Sequence, residues 1–361
     1  MTQQIAIVGG GYIGAELARS LDARADVVLV EPRSHFVHAP AMIRGVVDPT
    51  LMSQALIPYD SLLTRGRVVR ARAASVDDAG ITLGDGSRIV ADQVVVATGS
   101  GNATPFKPKG DDIAAFRAES VRIHALLTAA DNVAIVGGGA VGTELAGEIA
   151  HAMPGKRVTL ISAQPRLFPD KPLAFGDALT KKLERAGVRL VLGHRAQNLQ
   201  SLTEPFAGSL RLQDDSEHEF DLIFPVIGAR ANGELLQALP GTETSSAGRI
   251  KVDAWLRPST SFPNVFAAGD VADAGDAMTI VATSRQLPWL KNTLLGLGKG
   301  KSIERMKPYA PWGSKAPIIV PLGPDRGNSF LGFMTVGNLI TRKLKGENLF
   351  VRKYRALFGQ S

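Results

Sequence analysis

The chain of 361 residues contains no cysteine. This absence excludes a disulfide or thiolate redox centre, an iron–sulfur cluster and a thiolate zinc site, and nothing else in the sequence predicts a metal site. The chain also lacks any apolar stretch near the ~20 residues that a spanning helix requires. Its first residues, MTQQ, carry no basic region and no Gly at position 2, so neither a signal peptide nor N-terminal myristoylation is expected.

Acidic residues are fewer than basic residues, and the net charge is +7. Such a surplus suits an acidic partner, either a nucleic acid or an anionic membrane surface, although it can also serve solubility alone. Hydrophobic residues make up 45% and charged residues 21% of the chain, which is ordinary for a globular enzyme and argues against global disorder. The length suits about two domains of ~100–200 residues each.

One stretch occurs twice, as IAIVGGGYIGAELA at 5–18 and as VAIVGGGAVGTELA at 133–146, with ten of fourteen positions identical. Each copy joins a short apolar run to G-x-G-x-x-G and then to a helical pattern. This arrangement is typical of a strand, a tight turn and a helix whose N-terminus receives a pyrophosphate. Two copies a domain length apart predict two dinucleotide-binding domains, with these glycines at the phosphates: Gly9, Gly11, Gly14, Gly137, Gly139 and Gly142.

The residue that follows the second strand of each repeat helps to predict which nucleotide binds. Glu31 lies about 20 residues after the first glycines, where a carboxylate accepts both hydroxyls of an adenosine ribose. The matching residue of the second repeat is Ser162. Without an acid there, the rejection of a ribose 2′-phosphate is weakened, and Arg166 or Lys156 could bind one. NADH and NADPH are therefore both candidates.

Three more apolar strands end in small residues that let a cofactor approach the backbone. They end at Ala97-Thr98-Gly99, at Gly228 and at Gly269-Asp270. Asp270 is expected to accept a hydrogen bond from a ribityl or ribose hydroxyl beside the phosphates. A helix is predicted over 278–295, and its positive N-terminal end would stabilise negative charge on a bound cofactor.

In their order, these motifs resemble those of the pyridine-nucleotide-disulfide reductase superfamily over residues 1–300. More narrowly, the chain resembles the apoptosis-inducing-factor-like flavoproteins of the ferroptosis-suppressor type, which are quinone reductases related to type II NADH dehydrogenases. The narrower likeness rests on the Gly-Asp motif, on a tail of similar layout at 332–350, and on three stretches, HFVHAPAMIRG (35–45), GGGAVGTELAGEI (137–149) and VTLIS (158–162).

The resemblance implies an α/β fold with two Rossmann-like, three-layer dinucleotide-binding domains, similar to glutathione reductase, and a short C-terminal segment. FAD would bind a domain split between 1–108 and 244–300. NADH or NADPH would bind the domain at 109–243, and 301–361 would form a cap or an interface, including that of a homodimer. Cofactor-binding roles are implied for Gly9, Gly11, Gly14, Glu31, Pro32, Arg44, Ala97, Thr98, Gly99, Gly137, Gly139, Gly142, Ser162, Gly228, Gly269, Asp270 and Thr279.

The implied reaction passes a hydride from NAD(P)H to flavin N5 and then two electrons to a quinone-type acceptor. Glu144, two residues after the last glycine of the second repeat, and Lys345 in the tail are the expected catalytic residues. The acid would position the nicotinamide or supply a proton, and the lysine would stabilise reduced flavin or donate a proton. Glu16 has the same place in the first repeat, where no such role is expected. The alternative is therefore that Glu144 has no catalytic role and is present because the helix dipole favours a carboxylate early in a helix.

Other acceptors fit the same motifs. An acidic ferredoxin or rubredoxin would suit the basic chain, and a pathway-specific small molecule is a further alternative. A redox-sensing or nucleic-acid-binding flavoprotein is the third, although no clustered nucleic-acid motif supports it.

The end of the chain is basic, with six Lys or Arg and one acid in 341–361. From Phe350 onward the apolar residues have helical spacing, and Lys and Arg occupy the other face. Such a helix could lie on a membrane that holds the quinone, or it could pack on its own domain. A cytoplasmic location is expected, with the inner face of a membrane as the alternative.

Overall fold

Each copy of the glycine motif begins a separate parallel sheet in the computed structural model, which describes residues 3–360. The strands are β1 (Gln4–Val8), β2 (Asp26–Val30), β3 (His35–Val37), β4 (Leu56–Pro58), β5 (Arg67–Val69), β6 (Ala73–Asp77), β7 (Gly80–Leu83), β8 (Arg88–Val90), β9 (Gln93–Val96), β10 (Ser100–Gly101), β11 (Asn132–Val136), β12 (Arg157–Ser162), β13 (Arg189–Leu192), β14 (Phe206–Arg211), β15 (Glu217–Pro225), β16 (Arg230–Ala231), β17 (Ile250–Lys251), β18 (Val265–Ala267), β19 (Ala272–Asp273), β20 (Ile318–Pro321), β21 (Gly327–Phe330) and β22 (Thr335–Val336).

The α-helices are α1 (Tyr12–Leu21), α2 (Ala39–Gly45), α3 (Met52–Ala55), α4 (Ile113–Ala129), α5 (Ala140–Ala152), α6 (Leu173–Arg185), α7 (Glu234–Gln237), α8 (Ile280–Thr283), α9 (Gln286–Leu297), α10 (Asn338–Thr341) and α11 (Val351–Leu357). Short 3-10 helices span Pro49–Leu51, Gly269–Val271, Ile303–Arg305 and Gly313–Lys315. A π-helical segment spans Arg342–Gly346.

The first sheet has the strand order β18-β9-β1-β2-β5, and all its neighbouring pairs are parallel. Strand β18 joins this sheet only after the chain has completed the second sheet. The carboxyl ends of β1, β9 and β18 therefore lie side by side, at the edge where sheets of this type bind ligands. This return brings the Gly269-Asp270 motif next to the first glycine motif.

Both faces of the first sheet are buried, as is usual for parallel strands. Ile5 and Ile7 of β1 pack on one face with α1, α9 and α11, whereas Ala6 and Val8 pack on the other with the antiparallel ribbon β6-β7-β8. Alternate residues of one strand thus enter two separate hydrophobic clusters. This is why the run from Ile5 to Val8 is apolar throughout rather than alternating.

The second sheet has the strand order β13-β12-β11-β15-β14 and is antiparallel only between β14 and β15. Helix α5 follows the second glycine motif, and residues of α5 and α6 share one hydrophobic cluster with Ile135 and Phe224 of this sheet. The two sheets confirm the predicted α/β class with two Rossmann-like units. The chain enters the second unit after β9 and has returned to the first by β18.

The C-terminal segment contacts both units. Its antiparallel sheet β20-β21-β22 packs on α5 and α6 and contributes Val320 and Phe330 to their core. Helix α11 instead turns Tyr354, and the adjoining Phe358, into the core of the first unit, where both contact Phe36. The apolar face of this basic helix is thus covered largely by its own chain, as the packing alternative predicts.

The helix predicted over 278–295 is divided by the structure into α8 and α9. Pro288 has no N–H to donate to the carbonyl of Ser284, so it is tolerated in the first turn of a helix but not in its interior. A new helix therefore begins at Gln286. None of the helices within residues 3–360 has the length and apolarity that crossing a bilayer requires.

Candidate functional site

A large cavity lies at the carboxyl edge of the first sheet, between the two units and the C-terminal segment. It contains about 1520 Å³ of empty space, a volume that includes the solvent in its open mouth. Both predicted catalytic residues, Glu144 and Lys345, line it. Residues predicted to bind a cofactor supply much of the remaining wall, namely Gly9, Gly11, Ala97, Thr98, Gly99, Gly269, Asp270 and Thr279.

The glycines of both motifs have two different tasks. A Cβ atom built on Gly14 would lie 1.8 Å from the carbonyl oxygen of Gly9, and one built on Gly142 would meet a backbone oxygen at 1.9 Å. These glycines let each helix pack against its strand. A Cβ atom on Gly11 or Gly139 would meet no protein atom within 4 Å. The middle glycine of each motif therefore faces open space, where a pyrophosphate can approach the backbone.

Glu31 is buried directly behind the cavity wall. Its carboxylate accepts hydrogen bonds from the N–H of Gly10 (2.7 Å) and from Nε of Arg33 (2.7 Å), and both donors line the cavity. Pro32, which was predicted to bind the cofactor, is not part of the lining. Arg33 was missed by sequence reasoning, although its place two residues after the expected acid was an available signal.

A second polar cluster joins Asp270 to the segment after β9. Oδ2 of Asp270 accepts a hydrogen bond from Oγ of Ser100 (2.6 Å), and Nζ of Lys107 lies 3.7 Å from Asp270 and donates to the carbonyl of Ser100 (2.9 Å). Burial lowers the pKa of Lys107, although the charge of Asp270 opposes this shift. Lys107 lies in a Gly- and Pro-rich stretch, which gave sequence reasoning no signal of a site.

These groups fit an FAD molecule at the first glycine motif. Arg33 and Lys107 line the cavity and suit the negative charges of a pyrophosphate, together with the open backbone at Gly11. The carboxylate of Asp270 lines the cavity and suits the hydroxyls of a ribityl chain, whereas that of Glu31 lies behind the lining and holds Gly10 and Arg33 in place. The first unit thus places two cations, Arg33 and Lys107, and one carboxylate, Asp270, around the open backbone of its glycine motif.

Glu144 and Lys345 form a buried ion pair in the cavity wall. Nζ of Lys345 lies 2.6 Å from Oε1 of Glu144 and 3.3 Å from the carbonyl oxygen of Ile319. The two residues are only 3% and 8% exposed. Burial raises the pKa of Glu144, and the positive charge of Lys345 offsets only part of this effect. The cavity wall thus carries a carboxyl group and an ammonium donor side by side.

The structure separates Glu144 from its equivalent in the first repeat. Glu16 does not line the cavity, its side chain is 21% exposed, and its carboxylate lies 3.0 Å from Nζ of Lys353. Lys353 of α11 pairs with Glu16 on α1, whereas Lys345 of the π-helical segment pairs with Glu144 on α5. Two near-identical repeats thus acquire different surroundings because the C-terminal segment contacts them differently.

Arg44 was predicted to bind the cofactor but lies outside the cavity lining. Its guanidinium donates two hydrogen bonds to the buried carboxylate of Glu148, from Nε (3.0 Å) and from Nη2 (2.9 Å). This ion pair joins α2 of the first unit to α5 of the second. The neighbouring Ile43 lines the cavity instead, so the contact of Arg44 is between elements of the protein.

His38 is fully buried and acts as a neutral hydrogen-bonding group. Its Nε2 donates to the carbonyl of Leu349 (2.5 Å), which leaves Nδ1 to accept from the hydroxyl of Tyr12 (3.1 Å). Burial lowers the pKa of His38 to about 4. Leu349 and Phe350 have positive φ angles of 51° and 63°, so the bond to Leu349 helps to hold a strained turn that brings Phe350 to the cavity.

We expect the stability that His38 provides to decrease as the pH falls from about 6.5 to about 4. Over this range the ring stays neutral in the folded protein but binds a proton in the unfolded chain. The contribution of His38 to the free energy of unfolding is therefore complete above pH ~6.5 and is lost gradually as the pH falls to about 4. The full effect is about 3 kcal/mol. Thermal unfolding of the protein and of His38→Gln should show a difference in Tm that narrows as the pH falls. A difference that stays constant would contradict this account.

The three glycines of the second motif lie at the carboxyl edge of the second sheet and outside the cavity lining, as do Ser162 and Gly228, whereas Ala140 and Val141 between these glycines belong to the lining. Lys156 precedes β12, at its amino end, and donates to the carbonyl of Thr128 (3.0 Å), so it does not face a nucleotide at the carboxyl edge. Arg166 follows the carboxyl end of β12, and its buried Nη1 has no hydrogen-bond partner within the described residues. Its Nη2 donates to the carbonyl of Pro169 (2.6 Å), so of these two cations Arg166 lies on the side of the carboxyl edge but is bonded within its own loop.

Comparison with protein families matches residues 60–286 to the pyridine nucleotide-disulphide oxidoreductase family. A second model of the same description matches residues 4–54. Together the matches contain the first-unit segments that bear Glu31 and Asp270 and the complete second glycine motif.

Curated relatives align along almost the whole chain. The chain is 28% identical to apoptosis-inducing factor homolog B of Dictyostelium discoideum, over 98% of this chain and 96% of that protein. It is 26% identical to ferroptosis suppressor protein 1 of Taeniopygia guttata, over 99% and 96% respectively. Among solved structures, reduced CoADR-RHD of Bacillus anthracis has a TM-score of 0.67 at 19% identity, over 91% of this chain and 61% of that one, a likeness that concerns the fold alone.

Proposed function

The chain belongs to the pyridine nucleotide-disulphide oxidoreductase family and is an FAD-dependent NAD(P)H oxidoreductase of the apoptosis-inducing-factor-like type, and we propose that its electron acceptor is a quinone. When bound, FAD supplies the chemistry that takes a hydride from NAD(P)H and passes two electrons onward. Because the chain has no cysteine, it holds no dithiol centre of its own that could receive these electrons. The acceptor therefore comes from outside the chain.

One observation carries the proposal. The Glu144–Lys345 ion pair lies in a wall whose other C-terminal members are apolar, namely Pro317, Ile318, Ile319 and Phe350. A quinone ring is planar and apolar, and its two carbonyl oxygens gain protons as two electrons arrive. An ammonium group set in an apolar wall matches both properties, because it can bind the oxygen while the side chains beside it contact the ring.

Lys345 is the group that would interact with the acceptor oxygen on which negative charge develops. Its ammonium would donate a hydrogen bond to that oxygen and then one of the two protons, and the other proton would come from the reduced cofactor or from solvent at the open mouth. Glu144 orients the ammonium, and its raised pKa lets it carry the replacement proton. The carbonyl oxygen of Ile319 accepts a second hydrogen bond from the Lys345 ammonium. The apolar wall excludes water, which strengthens these charge interactions.

Anaerobic stopped-flow measurement of the purified protein tests this function. We expect NADH or NADPH to bleach the flavin absorbance, and menadione to restore it faster than oxygen or a ferredoxin does. Restoration only by a ferredoxin or rubredoxin would assign a protein carrier as the acceptor. A colourless protein that takes up no FAD would contradict the site assignment as a whole.

The preference between NADH and NADPH is predicted to depend on Ser162. Ser162→Asp places a carboxylate where Glu31 stands in the first unit, and this charge should repel a ribose 2′-phosphate. We expect the KM for NADPH to rise about tenfold or more and the KM for NADH to change little. Ser162→Asn is the uncharged control of matching size. Equal changes for both nucleotides in steady-state kinetics would place the ribose elsewhere.

A further inference from the structure

Exposed apolar side chains are concentrated in one short part of the C-terminal segment. Phe333, Met334, Leu339, Ile340 and Leu344 are 83, 46, 77, 45 and 37% exposed, and we call these five residues the apolar patch. Of the eleven large apolar side chains that are exposed within residues 3–360, five thus belong to this one patch. Such a concentration marks an interaction site rather than the scattered exposure of an ordinary surface.

Helix α10, within the patch, carries polar groups on its inner side and apolar residues on its outer side. Thr341 is fully buried and hydrogen-bonds to β21 (2.8 Å), and Oδ1 of Asn338 accepts from the N–H of Gly327 (3.1 Å). Leu339 and Ile340 between them are exposed. A helix that faces water has the opposite arrangement. Because its polar groups are bonded inward, rotation of α10 would break these bonds, so the apolar residues are held outward.

The apolar patch and the cavity are two sides of the same segment. Leu344 is exposed, whereas the next residue, Lys345, is buried in the cavity wall. Strand β20, whose Ile318 and Ile319 line the cavity, pairs with β21, and the turn after β21 carries Phe333. Anything that covers the patch therefore lies against the outer side of the cavity wall.

The charges around the patch favour one occupant. Residues 327–346 include basic residues but no Asp or Glu. Arg342 pairs with Asp325 and Glu347, whereas Lys343 is exposed and forms no ion pair within the described chain. In a two-fold dimer through the patch, Lys343 would face the same residue of the second copy, and like charges would oppose the contact. An anionic bilayer can cover the apolar side chains and attract the lysine together.

We propose that the apolar patch docks the protein on an anionic lipid bilayer, with the cavity wall held at the membrane surface. Docking brings an acceptor dissolved in the bilayer to the cavity, and in this respect it rests on the proposed quinone function. The apolar contact comes from 333–344 and not from α11, whose apolar face is buried.

Flotation of the FAD-loaded protein with lipid vesicles tests docking without any measurement of activity. We expect binding to vesicles of phosphatidylcholine with phosphatidylglycerol, and weaker binding to phosphatidylcholine alone or at high salt. The double variant Phe333→Gln/Leu339→Gln should lose about tenfold or more in binding. The matched control is Val121→Gln/Leu202→Gln, which removes two side chains that are 54% and 46% exposed outside the patch and should bind like the parent. No flotation of the parent, or equal flotation of both double variants, would overturn the proposal.

Quinone assays separate docking from the proposed function. Phe333→Gln/Leu339→Gln should reduce a water-soluble quinone at the parental rate, and a long-chain quinone held in vesicles about tenfold more slowly. A parent protein that floats but reduces neither quinone would contradict the quinone function and support docking. If the parent were a dimer, this variant a monomer, and neither protein bound vesicles, the patch would be a dimer interface and the docking proposal would be overturned.

Discussion

Gly11→Val is expected to yield a folded protein that carries no flavin. The backbone at Gly11 is extended, with a φ of −70°, and a Cβ atom there meets no protein atom within 4 Å, so the fold tolerates a side chain. Valine would instead fill the space through which a pyrophosphate reaches the backbone. FAD binding should weaken about 100-fold or more, because hydrogen bonds to a charged group contribute about 1.5–3 kcal/mol each. Flavin absorbance measures the loss, and circular dichroism checks the fold.

Gly139→Val is the matched variant in the second motif, with a φ of −77° and the same open space. We expect a yellow protein whose flavin is reduced normally by dithionite but about 100-fold more slowly by NADH and NADPH. Gly14→Ala behaves differently, because its Cβ atom would lie 1.8 Å from a backbone oxygen and should lower the Tm as well. A yellow Gly11→Val with a colourless Gly139→Val would reverse the assignment of the two motifs.

Lys345→Met is expected to lower both the stability and the rate at which a quinone reoxidises the flavin. Removal of the ammonium leaves the buried carboxylate of Glu144 unpaired, and loss of one member of a buried pair costs about 3–5 kcal/mol. Glu144→Gln/Lys345→Met removes both charges and should recover most of the stability. It should still be reoxidised about 100- to 10,000-fold more slowly, because the proton donor is missing. Thermal unfolding and stopped-flow reoxidation measure the two effects separately.

Arg44 and Glu148 provide the control pair, since Glu148 is buried, Arg44 is only 12% exposed, and the two are bonded to each other outside the cavity lining. Arg44→Met should lower the Tm as Lys345→Met does, and Arg44→Met/Glu148→Gln should recover it. The double variant, which removes two opposite charges that both act on Glu144, should leave the reoxidation rate unchanged. If Glu144→Gln/Lys345→Met were also reoxidised at the parental rate, the pair in the cavity wall would be structural only.

The glycine motifs could be predicted because their constraints are local. Gly14 must lack a side chain because α1 packs so closely on the turn that a Cβ atom would meet the carbonyl of Gly9. Glu31 follows β2 within the same βαβ unit, so spacing alone predicts an acid beside the glycine motif, although not its bonds to Gly10 and Arg33.

The tail was harder to interpret from sequence. Apolar spacing after Phe350 indicates a helix, and α11 is present, but spacing cannot distinguish a face that contacts lipid from a face that contacts protein. The residues that are exposed and apolar lie instead at 333–344. This part consists of a turn, a four-residue helix and a π-helical segment, which are too short to show a periodic pattern.

Residue types and short spacings were enough to predict the fold class, the two glycine-rich turns and the lack of a cysteine redox centre. Three contacts could be seen only in the folded chain. Glu144 faces the cavity whereas Glu16 does not, and Lys345 pairs with Glu144 across 201 positions of sequence. Arg44 forms its ion pair outside the cavity wall. These contacts join elements that are distant in the chain. Their partners are selected by how the C-terminal segment and the two units pack, and no local spacing records that choice.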